Sequence, residues 1–423
     1  MSRVFRIACY GYAGKNIGSG VGADFMILEE LLKRGFEIDF YGWEGSNKPS
    51  ELLERKNFKF LSLPDKSLVR AFERWLPKSL QKPFSNTIHA VLHVLVVAPA
   101  DNRKLRREVI SQHTIRQYDF LFYLGLHALF RIEDVPTLSW IQGPPQTEWL
   151  HIRKLRKTII SLCGPITYFK AMVYYALEKL RLTRKIDNSD ILICSSQWSK
   201  ENTIAYGISP EKVRVLRFPI DLTIFDVDPD SRSRASGQRK TFLWLGRLDP
   251  RKRLDLLLEA YRLLLKDRQD VDLKIIGSFR HYTGYKKLID SFEFPNHIEY
   301  QSSINRSEVP SLLKQCDILV QPSEGENFGF SVAEALCCGL PVIVGSTNGT
   351  KDFISDSSFI FEQYTPESLK ETMVKAINAI EEHPEKLSQD ARKAAEMNFD
   401  IVSVVDDLEA LFKECANLGG TKN

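Results

Sequence analysis

Several signposts are missing from this 423-residue chain, and each absence removes a class of answer. No C-x-x-C pair occurs, which argues against a zinc ribbon or finger. The seven cysteines, Cys9, Cys163, Cys194, Cys316, Cys337, Cys338 and Cys415, are odd in number and sit in apolar strand or helix contexts. They read as reduced core thiols of a cytosolic protein, not as a disulfide framework. The glycine stretch Gly18-Ser19-Gly20-Val21-Gly22 does not match G-x-G-x-x-G, so the dinucleotide fingerprint is lacking. The opening residues, MSRVFRIACYGY, run straight into a strand without the apolar core of a secretory signal, so none is expected. The longest weakly charged run, residues 158–177, carries Lys170 and is interrupted by Gly164-Pro165. A membrane span needs roughly 20 uninterrupted apolar residues, so no transmembrane segment is expected.

What is present is an ordinary soluble composition, 43% hydrophobic and 26% charged, on a chain long enough for two domains of roughly 200 residues. The net charge of +4 conceals an imbalance. Residues 1–218 carry 33 Lys and Arg against 21 Asp and Glu, and residues 219–423 carry 25 against 33, so the halves are +12 and −8. That sets an expected boundary at Phe218-Pro219 and an anionic partner for the first half. The cations are not interleaved with a nucleic-acid motif, so an anionic membrane surface or phosphorylated lipid is preferred to nucleic acid. Residues 152–186, apolar with basic flanks, are either buried helices of the first domain or a patch that meets such a surface; residues 88–98 raise the same question more weakly.

Strands alternate with helices throughout, which implies parallel sheets. In the first half, VFRIACYGY is a strand, residues 14–23 a glycine-rich loop, DFMILEELLKRG an amphipathic helix ending at Gly35, and the next strand begins at Glu37. YDFLFYL and TLSWIQGPP are later strands of the same sheet. Residues 226–237 are polar and alternate in charge, as a flexible entry to a second domain would. That domain holds the strands TFLWLGRL, VDLKIIG and IEYQSSI, a helix SEVPSLLKQC capped by Ser307, and a final helix, IVSVVDDLEALFKEC.

The most informative stretch is residues 322–344, PSEGENFGFSVAEALCCGLPVIV, which places Glu326 and Glu334 eight residues apart around a glycine-containing turn. The run before it has the length and β-branched content of a buried parallel strand, and ALCCGLP ends a helix at Gly339. Glu326 therefore belongs in a strand-to-helix loop, with Phe328, Gly329 and Phe330 making the turn and residues 331–338 a short helix. The leading N–H groups of that helix point back at the strand ends, where open α/β sheets bind ligands, so an anion is expected. Carboxylates would repel that anion and instead suit the neutral hydroxyls of a ribose and a hexose. Glu334 has a second reading as the acid of a Ser331-x-x-Glu334 capping box, and Glu326 could simply be solvated. A second constellation follows the strand TFLWLGRL: Asp249 as N-cap, Pro250 at the first helical position, then Arg251, Lys252 and Arg253. Cations are disfavoured at a helix N-terminus unless a bound diphosphate reverses the sign; the plainer reading is a solvated basic turn, with Arg251 and Arg253 facing solvent or pairing with Asp255.

On these residues the chain resembles the family 4 glycosyltransferases, whose signature is two glutamates separated by seven residues. The resemblance implies the GT-B architecture, two Rossmann-like doubly wound α/β domains facing a cleft: residues 1–218 for the acceptor, 219–395 for the donor nucleotide sugar, and 396–423 as a helix crossing back to the first domain. It implies that Glu326 contacts the donor sugar and Glu334 the ribose. Arg247, directly after the strand's Gly246, and Lys252 would hold the pyrophosphate beside Gly329, Phe330 and Ser331. Ser303 and Ile304 would read the base through their backbone. Gly20 would face the donor phosphates across the cleft. Gln142 stands where many relatives have a histidine; an amide orients a hydroxyl but takes no proton. His127 is a possible substitute, although a core histidine is the commoner outcome. The implied activity is retaining transfer of a hexose from a nucleoside-diphosphate sugar to an acceptor; the basic, apolar first half favours a glycan or lipid-linked acceptor, in polysaccharide or glycolipid synthesis, and with the cysteines and the lacking signal sets the expected place in the cytoplasm, peripheral to a membrane's inner face. The departing diphosphate would take the acceptor proton. No metal and no cofactor are expected, because cations supply the countercharge. A sugar-nucleotide epimerase or hydrolase, or a non-catalytic binding subunit of the same fold, stays open.

Overall fold

A computed structural model describes residues 4–14, 18–43, 49–63, 98–144, 147–183, 187–226, 239–279, 282–354 and 358–420. Residues 88–97 and 227–237, singled out above, lie outside these. Two all-parallel sheets organise the chain. The first has the order β3-β2-β1-β4-β5-β6-β7, with β1 Arg6–Gly11, β2 Glu37–Trp43, β3 Phe58–Leu63, β4 Phe120–Gly125, β5 Thr137–Ile141, β6 Ile191–Cys194 and β7 Val213–Val215. The second has the order β10-β9-β8-β11-β12-β13, with β8 Lys240–Leu245, β9 Val271–Ile276, β10 Ile298–Gln301, β11 Ile318–Gln321, β12 Val342–Gly345 and β13 Phe359–Phe361. In each sheet the chain reverses direction between its first and fourth strands, β1 and β4 in one and β8 and β11 in the other. Doubly wound sheets hold ligands outside the carboxyl ends of the strands at that point. The central strands β5, β6, β11 and β12 are buried along their whole length, as parallel strands covered on both faces must be.

Helix α1 (Gly18–Lys33) corrects one expectation: Gly18, Gly20 and Gly22 lie in its first turns and not in a loop. Its end is as read, with Gly35 at φ +89° after the last turn. Helix α2 (Ala98–Arg116) precedes β4. Helices α3 (Thr147–Lys154) and α4 (Arg156–Thr183, broken at Gly164) correct the reading of residues 152–186 as buried helices of the first domain alone. Ile152, Leu155 and Ile159 form a buried cluster that Tyr168, Met172, Tyr175 and Tyr282 of the second sheet's side complete. A Cβ on Gly284 would lie 1.8 Å from the Leu162 carbonyl oxygen, so the hairpin rests directly on that later segment. It is thus a bridge between the two halves, not first-domain core. Ile166 and Phe169 remain outside, 71% and 67% exposed. No helix among the described residues is long and apolar enough to cross a membrane.

The remaining helices are α5 (Gln197–Ala205), α6 (Leu254–Asp267), α7 (Gly284–Asp290), α8 (Val309–Lys314), α9 (Phe330–Cys337), α10 (Pro366–Glu382), α11 (Pro384–Phe399) and α12 (Ile401–Gly420). The turn before α8 is capped by Asn305, whose N–H donates to Glu308 at 2.9 Å, and not by Ser307. Helix α12 lies on the first sheet. Phe412 packs its ring 4.8 Å from Phe120 and 5.4 Å from Phe122, and Arg34, directly after α1, pairs with Asp406 and Glu409. Phe218, at the crossover, stacks on Trp140 of β5 at 5.0 Å and meets Phe330 and Phe328 at 5.2 and 5.5 Å. The crossover is therefore packed between the end of the first sheet and the loop that carries Glu326.

Candidate active site

The loop after β8 is built differently from the helix start expected there. Pro250–Lys252 form a 3-10 turn, Arg253 adopts φ +51°, and α6 begins only at Leu254. Asp249 makes no capping hydrogen bond. The cations thus stand on a separate turn and reach sideways into the loop after β11. Lys252 Nζ donates to Glu326 Oε2, and Arg251 lies 3.4 Å from the same oxygen and 3.2 Å from Glu148 of α3. Arg251 is therefore a buried tie, not a solvated residue. Arg253 does pair with Asp255, at 3.3 Å, and also with buried Glu324 at 2.6 Å, which Lys154 of α3 meets from the other side. Of the cations after β8, Arg247 is the well-exposed one, at 62%, with Asp249 3.6 Å away.

Glu326 is 8% exposed. Burial alone would raise its pKa, but Lys252 and Arg251 overturn that and hold the carboxyl at about 2. Its main chain is pinned as well: Glu326 N–H donates to Thr347 at 3.1 Å and its carbonyl accepts from Gly349 at 2.9 Å. Gly325, before it, has φ +68° and no room for a side chain, because a Cβ would lie 2.2 Å from His151 Cε1. His151 donates Nδ1–H to the Thr147 carbonyl at 2.6 Å, and burial lowers its pKa, which favours the neutral ring. Helix α3 is in this way threaded into the loop that holds Glu326.

Helix α9 starts after Gly329, at φ +86°, where a Cβ would approach Asn348 Oδ1 to 2.7 Å. The leading amides of α9, those of Phe330 and Ser331, have no intrahelical acceptor. Ser331 is inside the helix, and its hydroxyl accepts from Gln321 Nε2 at 3.1 Å. The capping-box reading of Glu334 therefore falls: Glu334 is buried and pairs with Arg306 at 2.6 Å. Arg306 in turn covers the Phe225 ring at 4.9 Å and, with Asn305, Phe25, Met26 and Ile220, lines a cavity of about 840 Å3 between α1 and the end of β10. Ser303 and Ile304 follow β10; the Ser303 carbonyl accepts from Gln301 at 2.8 Å, and Ile304 packs on the core. Gly246 continues the β8 ladder, its N–H donating to Ile276 at 3.0 Å.

The first half closes the other side. Gln142 lies at the end of β5, where its carbonyl accepts from Asn327 of the Glu326 loop. A Cβ on Gly20 would be 3.3 Å from Gln142 Nε2 and 3.6 Å from Phe330, so Gly20 and Gln142 do meet the donor-side loop. Ser196 adds a bond from its hydroxyl to the Asn327 carbonyl, 2.6 Å. His127 stands apart as a half-buried residue tied to Asp187 at 2.9 Å. Lys252 thus meets Glu326, and Gly20 and Gln142 meet Phe330 and Asn327 of the loop that carries it, whereas Arg247 lines a separate small cavity with Glu148, His151, Asp249 and Arg251, and Glu334 reaches the larger cavity only through Arg306. Sequence reasoning missed Asp24, Glu148, His151, Glu324, Asn327 and Arg306. Among these only Glu324 and Asn327, beside Glu326, lay within the stretch already singled out.

The family description "Glycosyl transferases group 1" matches residues 228–394. The GPI3 subunit of phosphatidylinositol N-acetylglucosaminyltransferase from Saccharomyces cerevisiae is 26% identical over 204 residues, 47% of this chain and 45% of its own. A D-inositol 3-phosphate glycosyltransferase from Paenarthrobacter aurescens is 22% identical over 284 residues, 63% of this chain and 68% of its own. The chain spans about half the length of the first curated relatives it matches. Among solved structures, Anabaena HepE in complex with UDP and glucose superposes with a TM-score of 0.60 at 15% identity, covering 97% of this chain and all of its own. Sucrose-phosphate synthase from Thermosynechococcus elongatus gives 0.65 at 14%, covering 97% and 98%. These likenesses establish the fold, two parallel-sheet α/β domains of the GT-B type. The second domain of this chain is a member of the glycosyl transferases group 1.

Proposed function

We propose that the protein is a retaining glycosyltransferase that moves a hexose from a nucleoside-diphosphate sugar to a glycan or lipid-linked acceptor. The observation that carries the reading is the Lys252–Glu326 pair formed between the loops after β8 and β11, on a loop that also meets Gly20 and Gln142 of the first half through Phe330 and Asn327; Arg247 follows β8 and the start of α9 follows the same loop. Cations and helix amides suit a diphosphate, and a carboxylate kept ionised suits sugar hydroxyls. In this reading the diphosphate meets Arg247 first and then draws Lys252 from Glu326, which frees that carboxylate for the hexose. Negative charge growing on the departing diphosphate is stabilised by Arg247, Lys252 and the α9 amides, and its oxygen takes the acceptor proton on the same face of the sugar. The ribose goes to Glu334 and the base to the cavity at the end of β10, read by the backbone of Ser303 and Ile304. No metal enters these steps.

Turnover of a panel of UDP-, GDP- and ADP-sugars, followed by nucleotide release for the parent, Glu326→Ala and Arg247→Ala, tests this. Release from one donor, lost in both variants, supports transfer and identifies base and sugar. Release without any acceptor at full rate would favour a hydrolase or epimerase, and neither release nor binding a non-catalytic subunit. The lipid-linked acceptor is favoured by Ile166 and Phe169, exposed beside Arg156, Lys157 and Lys170. Flotation with anionic liposomes should be lost in Ile166→Asp/Phe169→Asp; retention equal to the parent removes the basis for a membrane-borne acceptor.

A further inference from the structure

We propose that Asp24 is a positioning residue of this cleft, fixing the side-chain amide of Gln142 so that its carbonyl faces the sugar being transferred. The inference rests on the donor-cleft reading above, but its evidence is separate. Asp24 lies in the second turn of α1 and is 0% exposed. Its Oδ2 accepts from Gln142 Nε2 at 3.3 Å, and its Oδ1 has no hydrogen-bond partner among the described residues. Buried polar atoms are nearly always paired, so a carboxyl with one idle oxygen at the floor of a cleft calls for a reason. Gln142, by contrast, is exposed. Its amide is tied to the interior through the nitrogen, which leaves Oε1 as an acceptor for a hydroxyl.

Two glycines make the cradle. A Cβ on Gly20 would come within 3.3 Å of Gln142 Nε2, and one on Gly125, at φ +78°, within 3.1 Å of both that nitrogen and Asp24 Oδ2. The backbone passes so closely on both sides that the amide has little room to turn. The main chain of Gln142 is held from the opposite domain by Asn327. All of this lies at the ends of β1, β4 and β5, where the first sheet reverses direction. The groups facing Asp24 are few: Cys9 on β1, whose thiol is itself pushed up by burial and by Asp24, and the neutral amide of Gln142. Burial pushes the Asp24 carboxyl well above its ordinary range, and the Gln142 bond offsets this only in part. When the carboxyl ionises, Oδ2 becomes a stronger acceptor and holds the amide more firmly. Sugar binding should accordingly tighten as pH rises through that titration.

The first experiment follows the Gln142 side-chain amide resonance of the full chain by 1H–15N spectroscopy across pH, assigned through Gln142→Ala. The resonance should move with pH in the parent and stay flat in Asp24→Asn, which keeps the shape and an accepting oxygen; a flat parent resonance, or movement that survives in Asp24→Asn, overturns the pairing. The second measures donor KM for the nucleotide sugar identified by the panel. Asp24→Ala should raise KM roughly threefold to tenfold, the range of one hydrogen bond, with kcat changed less. In a Gln142→Ala background the same substitution should do nothing more. Equal increases in both backgrounds would make Asp24 a structural residue only. An amide that titrates in a protein that binds no nucleotide sugar would sink the donor-cleft reading and leave the Asp24–Gln142 pair standing.

Discussion

Replacing Glu326 by Gln removes one charge from a nearly closed knot while keeping its shape, and the structure gives the size of the effect. The side chain of Glu326 is 10% exposed, that of Lys252 13% and that of Arg251 11%, so water screens the contact little. Its pKa falls from an ordinary 4.5 to about 2. Two and a half pH units at about 1.4 kcal/mol each amount to about 3 kcal/mol of stability. Because the folded value is the lower one, that stability is fully present above the unfolded value of 4.5 and is lost as pH falls toward 2. Near pH 3.5 about 2 kcal/mol should remain. The Glu326→Gln variant would also leave the Lys252 ammonium against a neutral amide, while Arg251 keeps Glu148 at 3.2 Å. Chemical denaturation at a series of pH values should therefore place Glu326→Gln about 3 kcal/mol below the parent at neutral pH, with the gap narrowing on acidification. Adding Lys252→Met should recover part of the loss, since it removes the stranded cation. A variant within about 0.5 kcal/mol of the parent at neutral pH, the size of an ordinary surface substitution, would refute the argument. So would a gap that does not change with pH.

Two further outcomes test how the halves meet. Gly325→Ala must strain a backbone at φ +68°, roughly 1–2 kcal/mol, and drive a methyl into His151, so it should both destabilise the protein and abolish nucleotide release; adding His151→Ala should restore some stability by removing the clash, and no restoration would mean that α3 does not sit against this loop. Phe412→Ala, which empties the space among Phe36, Phe120 and Phe122, should cost about 3–5 kcal/mol in thermal or denaturant unfolding, and a loss under about 1 kcal/mol would remove α12 from the first sheet.

The architecture was legible because it rests on periodicity and punctuation that are local. The apolar runs around Ile7, Phe120, Leu243 and Leu319 announce buried parallel strands, and Gly35 and Gly339 end their helices at positive φ. The placement of Glu326 in a strand-to-helix loop was legible for the same reason, since strand, turn and helix start lie within a few residues of one another. What the sequence concealed is what these side chains do to each other. Three cations in a row suggested a helix start open to an anion, yet Arg253 takes φ +51° and turns to Glu324, and Arg251 is drawn to Glu148 from α3, in the other half of the chain. Ser331 and Glu334 have the spacing of a capping box, and the box fails because Arg306, from the turn after β10, reaches the carboxylate first. Asp24 looked like any other helix residue until folding placed it under Gln142, 118 positions away. Residues 147–183 were the hardest to place because their apolar face is covered partly by Tyr282 and Gly284 of the other domain, a partner that no local pattern announces. The same contact gives this helical bridge its consequence. On the transfer reading proposed above, separating the two sheets would break the pairs of α3 with Arg251 and Glu324, so opening and the ion pairs around Glu326 would be coupled.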